Sequence, residues 1–154
     1  MKKNVLFIMC DQLRYDYLCC TGHPSIKTPN IDMLAKKGML FKNSHCNAPL
    51  CGPSRASFYT GRYMSSHGVM ANDDPLRVDE VTLGDYVREL GGEAHVVGKS
   101  EGRPNKESLN RLDIPLESQV AQERHDNGFK PFEQYYGLYP EPILKEGLGY
   151  NNYL

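Results

Sequence analysis

The sequence predicts an α/β fold, a largely parallel sheet flanked by helices. Three observations carry that expectation. The run Asn4 to Met9 is continuously apolar after its first residue and stops just before Asp11, which suits a strand buried on both faces. Three amphipathic segments open on Pro or Thr and close on Gly, the punctuation of helices. A short stretch, Ala94 to Val97, follows the last of them as another buried strand. Strand, helix, strand, helix, helix, strand is the order of a layered α/β domain.

Each element has a local reason. In the first helix Thr28 can cap, and Pro29 suits the first position, where a missing N–H costs nothing. Ile31, Leu34 and Ala35 form its apolar stripe, and Gly38 closes it. Met39 to Ser44 reads as a second strand. Pro53 starts a second helix that runs through Phe58 and Tyr59 to Gly61. Thr82 starts a third, with Leu83, Tyr86, Val87 and Leu90 on one face and Gly91 and Gly92 closing it. Leu116 to Arg124 suits a further helix. After Gly128 the chain is rich in Tyr, Pro and Gly and reads as irregular structure. Its aromatics, Tyr135, Tyr136 and Tyr139 among them, favour burial. Residues 1–103 are expected to form the main part of the domain and residues 104–154 an irregular extension of it.

A chain of 154 residues suits one domain with a real core. With 18 basic and 19 acidic residues the net charge is −1, which gives no footprint for nucleic acid or an anionic membrane. Two early lysines precede an apolar run, but that run is too short for a signal peptide and Asp11 interrupts it. No stretch reaches the roughly 20 apolar residues of a membrane span. The expectation is a soluble, cytoplasmic chain. The five cysteines, Cys10, Cys19, Cys20, Cys46 and Cys51, are odd in number and lack zinc-ligand spacing, so neither a closed disulfide framework nor a zinc site is expected.

One of these cysteines stands apart. In NAPLCGPSRASFYTGR, residues 47–62, Pro53 puts Cys51 at a helix amino terminus. Unpaired backbone N–H groups and the helix dipole favour an anion there. Arg55 adds a planar fork matched to sulfate or phosphate oxygens. A nucleophilic cysteine of lowered pKa fits this description. A thiol phosphatase is a weaker fit, because such enzymes place a glycine-rich phosphate loop after the cysteine and Pro53 removes one of the donors.

Cys51-Gly52-Pro53-Ser54-Arg55 resembles the sulfatase signature C-x-P-S-R, and Thr60-Gly61-Arg62 completes its extended form. Asn4 to Gln12 resembles the opening strand of that family, and Thr28-Pro29-Asn30-Ile31-Asp32 with Leu34 and Gly38 resembles its first helix. Asn47-Ala48-Pro49, His67-Gly68-Val69 and Gly98-Lys99 follow in the family's order, so the resemblance covers residues 4 to about 99. It implies an alkaline-phosphatase-like fold of which this chain is the amino-terminal portion. It also implies hydrolysis of sulfate esters. In that family the motif cysteine becomes formylglycine, whose hydrated aldehyde attacks sulfur with one hydroxyl and expels sulfate with the other.

The resemblance further implies site roles. Asp11 and Gln12 match metal-ligand positions, with Cys51 completing the set on this chain. Calcium is the first expectation and magnesium or manganese the alternatives. The plain alternatives are a surface carboxylate at a strand end for Asp11 and a polar cap for Gln12. Cys51, Arg55 and Lys99 match catalytic positions: nucleophile precursor, orienting cation and sulfate-oxygen ligand. Their plain alternatives are an inert thiol, an exposed helix arginine and a solvated lysine. Asn72 is a minor candidate polar contact. The implied partners are a small sulfate ester and a formylglycine-generating enzyme.

Two departures bear on these expectations. Glu101 stands where the family's GKxH element has histidine, and His95 is read as a strand residue and not a substitute. The family's further metal ligands lie far downstream of any position in 154 residues. Gln12 and Glu101 also suit a relative acting on phosphonate monoesters or phosphodiesters. A third reading is an inactive, truncated remnant that oligomerises through a sheet edge and the tyrosine-rich tail.

Overall fold

The computed structural model describes residues 4–135 of the chain. It divides into two compact units, Met1–His45 and Cys46–Leu154.

In the first unit the structure has two 3₁₀ turns, Tyr15–Tyr17 and Cys19–Thr21, and helix α1, Pro29–Lys37. The helix begins at Pro29 as expected, but Thr28 does not cap it. Its hydroxyl oxygen accepts from the Cys19 N–H at 3.0 Å and donates to Asp32 Oδ1 at 2.9 Å. The same carboxylate oxygen accepts from the Cys20 N–H at 2.9 Å. The helix start is thereby tied to the turn before it. The Gly38 N–H closes α1 by donating to the Leu34 carbonyl.

The two strands expected in this unit do not form. Residues 4–10 and 39–44 carry no strand, and Val5 is 89% exposed. A strand buried on both faces exists only when neighbours bond to both its edges. Among the described residues neither segment is part of a sheet. The apolar stripe of α1 meets the same fate: Leu34 is 63% exposed, and no residue of the helix is buried.

The second unit is built on helix α2, Cys51–Thr60. It starts two residues earlier than Pro53, because Leu50 already accepts the Ser54 N–H at 2.9 Å. Pro53 then lies in the first turn, where its absent N–H is not needed. Gly61 ends the helix with φ 67°, a left-handed conformation open to glycine. Six of its ten residues are buried. Helix α3, Met64–His67, follows, then α4, Leu83–Glu89. The start of α4 is the reciprocal box in which Thr82 and Asp85 satisfy each other's backbone N–H.

Strand β1, His95–Lys99, pairs in parallel with β2, Lys130–Tyr135, aligning His95 with Lys130. The expected strand at 94–97 is thus present and runs two residues further. Strand β2 corrects the expectation of irregular structure after Gly128. Val96 aligns with Pro131 and Val97 with Glu133, so Phe132 is an extra residue beside the proline. A bulge is where a strand tolerates Pro, and the interruption hides the strand from pattern reading.

Between the strands lie α5, Lys106–Arg111, capped by Asn105, and α6, Gln119–His125, which overlaps the helix expected at 116–124 but starts three residues later and ends one residue later. Val78, Leu109 and Ala121 form a small core with Ile114 against it. The result is a small parallel sheet flanked by helices, as the α/β class requires. Tyr136, Tyr139 and the rest of the tail lie outside the described residues.

Candidate active site

Helix α2 and the end of β1 build the site within the second unit. Cys51 is the first residue of α2 and is half-buried. The next N–H, from Gly52, donates to Asn72 Oδ1 at 2.8 Å. A Cβ on Gly52 would lie 3.0 Å from Asn72 Cα, so glycine is needed for this close approach. Asn72, weighted lightly from sequence, therefore holds the loop of residues 71–72 against the amino end of the helix.

One turn into α2, Arg55 is buried at 6% exposure. Its Nη1 donates to the Lys99 carbonyl at 2.6 Å. Four residues on, the Tyr59 hydroxyl donates to the Ser100 carbonyl at 3.2 Å. Positions i and i+4 share a helix face, so one face of α2 grips two successive peptide groups at the end of β1. Burial raises the Tyr59 phenol above its ordinary range, and the adjacent Arg55 charge opposes the shift. The Lys99 ammonium lies 3.0 Å from Glu101 Oε1, and both side chains are more than nine-tenths buried. Glu101 has φ 57°. Gly52, Arg55, Tyr59, Asn72, Ser100 and Glu101 line one small cleft.

The structure thus links Arg55 to Lys99 and puts Gly52, the neighbour of Cys51, on the same cleft. Arg55 is not the exposed helix arginine of the plain alternative, nor is Lys99 a solvated lysine. Glu101, read from sequence as a departure, is the partner of Lys99. No spacing signal in the sequence gives that pairing. Asp11 and Gln12 belong to the other unit; both are exposed, and Gln12 has φ 58°. As adjacent oxygen donors they fit a hard divalent cation in type, and they supply part of the six to eight oxygens calcium takes. Among the described residues no three His, Cys, Asp or Glu side chains cluster to hold a metal ion.

The rest of the motif is structural. Arg62 donates to buried Glu80 at 2.6 Å, and Arg77 pairs with the other oxygen of that carboxylate. Buried His67 accepts the Val69 N–H on Nδ1 at 3.1 Å, so its proton is on Nε2 and goes to Ser57 Oγ at 2.9 Å. In that tautomer His67 cannot take a proton from Ser57, and this pair is not a nucleophile with its base. Burial holds the His67 pKa below its ordinary value. His95 is exposed at the start of β1, 3.3 Å from Glu93. Among the described residues no helix is long and apolar enough to cross a membrane.

Known proteins agree with this architecture. The family model for sulfatases matches residues 3–138. An ulvan-active sulfatase of Formosa agariphila is 34% identical over 145 residues, covering 85% of this chain and 28% of that protein. An arylsulfatase of Clostridium perfringens is 36% identical over 107 residues, covering 69% and 22%. The crystal structure of a phosphonate monoester hydrolase from Agrobacterium radiobacter superposes with a TM-score of 0.64 at 27% identity, covering 86% of this chain and 25% of that one. The fold is that of alkaline-phosphatase-like hydrolases. The chain belongs to the sulfatase family, and it spans about a quarter of the length of the curated relatives it matches.

Proposed function

We propose that this chain is the amino-terminal portion of a hydrolase acting on sulfate esters, with Cys51 as the precursor of its nucleophile. The observation that supports it is the junction of α2 with β1, where Arg55 bonds the Lys99 carbonyl beside a cleft that Gly52 shares. Arg55 fixes the end of β1 and keeps its positive charge beside the cleft. Lys99 holds an ammonium near the cleft to stabilise negative charge on a sulfate oxygen. The amino end of α2 adds its dipole.

A formylglycine at position 51 supplies an oxygen nucleophile with a built-in release step, which a serine or cysteine ester of sulfate lacks. Asp11 and Gln12 are the oxygen donors this portion offers to a divalent cation, with calcium preferred over magnesium or manganese. Such a cation polarises ester oxygens. The reading requires a formylglycine-generating enzyme as a partner. A cytoplasmic location is part of the same reading, in keeping with the lack of a disulfide among the cysteines of the described residues.

A second reading, hydrolysis of phosphonate monoesters, draws support from Gln12 and from the solved phosphonate monoester hydrolase that this chain resembles. Paired aryl sulfate and aryl phosphonate substrates separate the two. Protein produced with a formylglycine-generating enzyme and supplied with calcium should turn over the sulfate faster. Faster turnover of the phosphonate would favour the second reading, and labelling of position 51 by a hydrazide with neither activity would contradict both.

A further inference from the structure

We propose that Tyr59 is a positioning residue for Lys99: its hydroxyl holds the turn that keeps Glu101 against the Lys99 ammonium. The inference rests on the reading of Lys99 as the ligand of a sulfate oxygen.

Glu101 sits in an unfavourable backbone conformation. Its φ of 57° costs free energy in a residue with a Cβ and persists where the surroundings enforce it. Its Oε1 lies 3.0 Å from Lys99 Nζ, and the Lys99 and Glu101 side chains are 5% and 7% exposed. The enforcement comes from α2. Arg55 Nη1 donates to the Lys99 carbonyl at 2.6 Å, and the Tyr59 hydroxyl donates to the Ser100 carbonyl at 3.2 Å. The Ser100 carbonyl carbon is one of the four atoms that define φ of Glu101. A donor fixed on that peptide group therefore acts on the left-handed turn itself. The Gly102 N–H adds a bond to Ser100 Oγ at 3.3 Å on the far side of the turn.

Tyr59 is itself anchored. It is 7% exposed, and its ring centroid lies 5.4 Å from that of Phe129, just before β2. Burial raises its phenol above the ordinary range, so the hydroxyl keeps the proton it donates. A cation that acts on a transition state is most effective when it is already in place and needs no reorganisation. A loosened turn lets the Lys99 ammonium leave that place, which lowers the rate of the chemical step without a matching loss of substrate binding.

The test reads Lys99 directly and needs no turnover. Trace acetylation of the full chain with acetic anhydride, followed by peptide mass spectrometry, gives the labelling of Lys99 relative to Lys130, whose side chain is 62% exposed. Tyr59→Phe keeps the ring beside Phe129 and removes only the hydroxyl, so the fold should persist. We expect it to raise the labelling ratio about threefold to tenfold, the change in a local opening that one lost hydrogen bond gives. Val78→Ala weakens the small core instead and should leave the ratio unchanged. On protein converted at position 51 and supplied with calcium, Tyr59→Phe should lower kcat for an aryl sulfate by a similar factor and leave KM unchanged. An unchanged ratio, or an equal rise in Val78→Ala, overturns the inference and leaves the hydrolase reading standing. A raised ratio with kcat unchanged also overturns it, because the turn would then not serve the chemistry. Turnover by neither protein counts against the hydrolase reading, and the labelling ratio then decides the inference alone.

Discussion

Arg55 Nη1 donates to the carbonyl of Lys99 at 2.6 Å, joining the first turns of a helix to the end of a strand 44 residues later. Both residues were candidates for the same chemistry on separate grounds. Their contact makes the helix that begins at Cys51 and the strand that ends at Lys99 one rigid piece.

Replacing Arg55 with Lys should break that piece. An ammonium on a flexible stem cannot reproduce the planar fork, and the Lys99 carbonyl loses its charged donor. The expected cost is about 1.5–3 kcal/mol in denaturant unfolding. Arg55→Met should cost at least as much, and a variant as stable as the parent would show that the bond contributes little.

Two glycines should rank by steric room. A Cβ at Gly84 would lie 2.5 Å from the backbone of Gly128, whereas one at Gly52 would meet Asn72 Cα at 3.0 Å. Gly84→Ala should therefore be the worse substitution, at about 1–3 kcal/mol or more, because backbone on both sides has to shift. Thermal unfolding of the two variants checks the order. Equal midpoints would mean that the 127–128 turn yields freely.

The helices were legible because their signals are local. Pro29, the Thr82 to Asp85 spacing and the closing glycines need no knowledge of distant partners. The Cys51 motif was legible for the same reason, down to its position at a helix start. Residues 4–10 and 39–44 have strand composition, but strand formation depends on partners distant in sequence, and neither segment joins the sheet of the described residues. Strand β2 was hidden by Pro131 and the extra Phe132, which break the alternating pattern. The Lys99–Glu101 pair was hidden because Glu101 lies past the end of β1, where strand alternation no longer says which way a side chain faces, and its left-handed backbone leaves no mark in composition. The role of Asn72 depends on a contact across 20 residues, which no spacing rule reveals.

His67 should make stability depend on pH. Burial holds its folded pKa below the ordinary 6.5, so the unfolded chain takes up the proton first as pH falls. Its contribution is present in full above about pH 6.5 and lost as pH drops from there towards the folded value. Protonation would also set a second donor at Nδ1 against the Val69 N–H. Unfolding free energy followed from pH 7.5 to 5 should fall in the parent and fall less steeply in His67→Gln. Identical slopes would show that His67 does not carry the effect.

The most direct test is the mass of the tryptic peptide spanning residues 43–55 from protein produced with a formylglycine-generating enzyme. Conversion of the Cys51 thiol to an aldehyde should remove about 18 Da, with fragmentation assigning the loss to position 51 and not to Cys46. An unmodified cysteine at position 51 under those conditions would contradict the assignment of this chain's nucleophile.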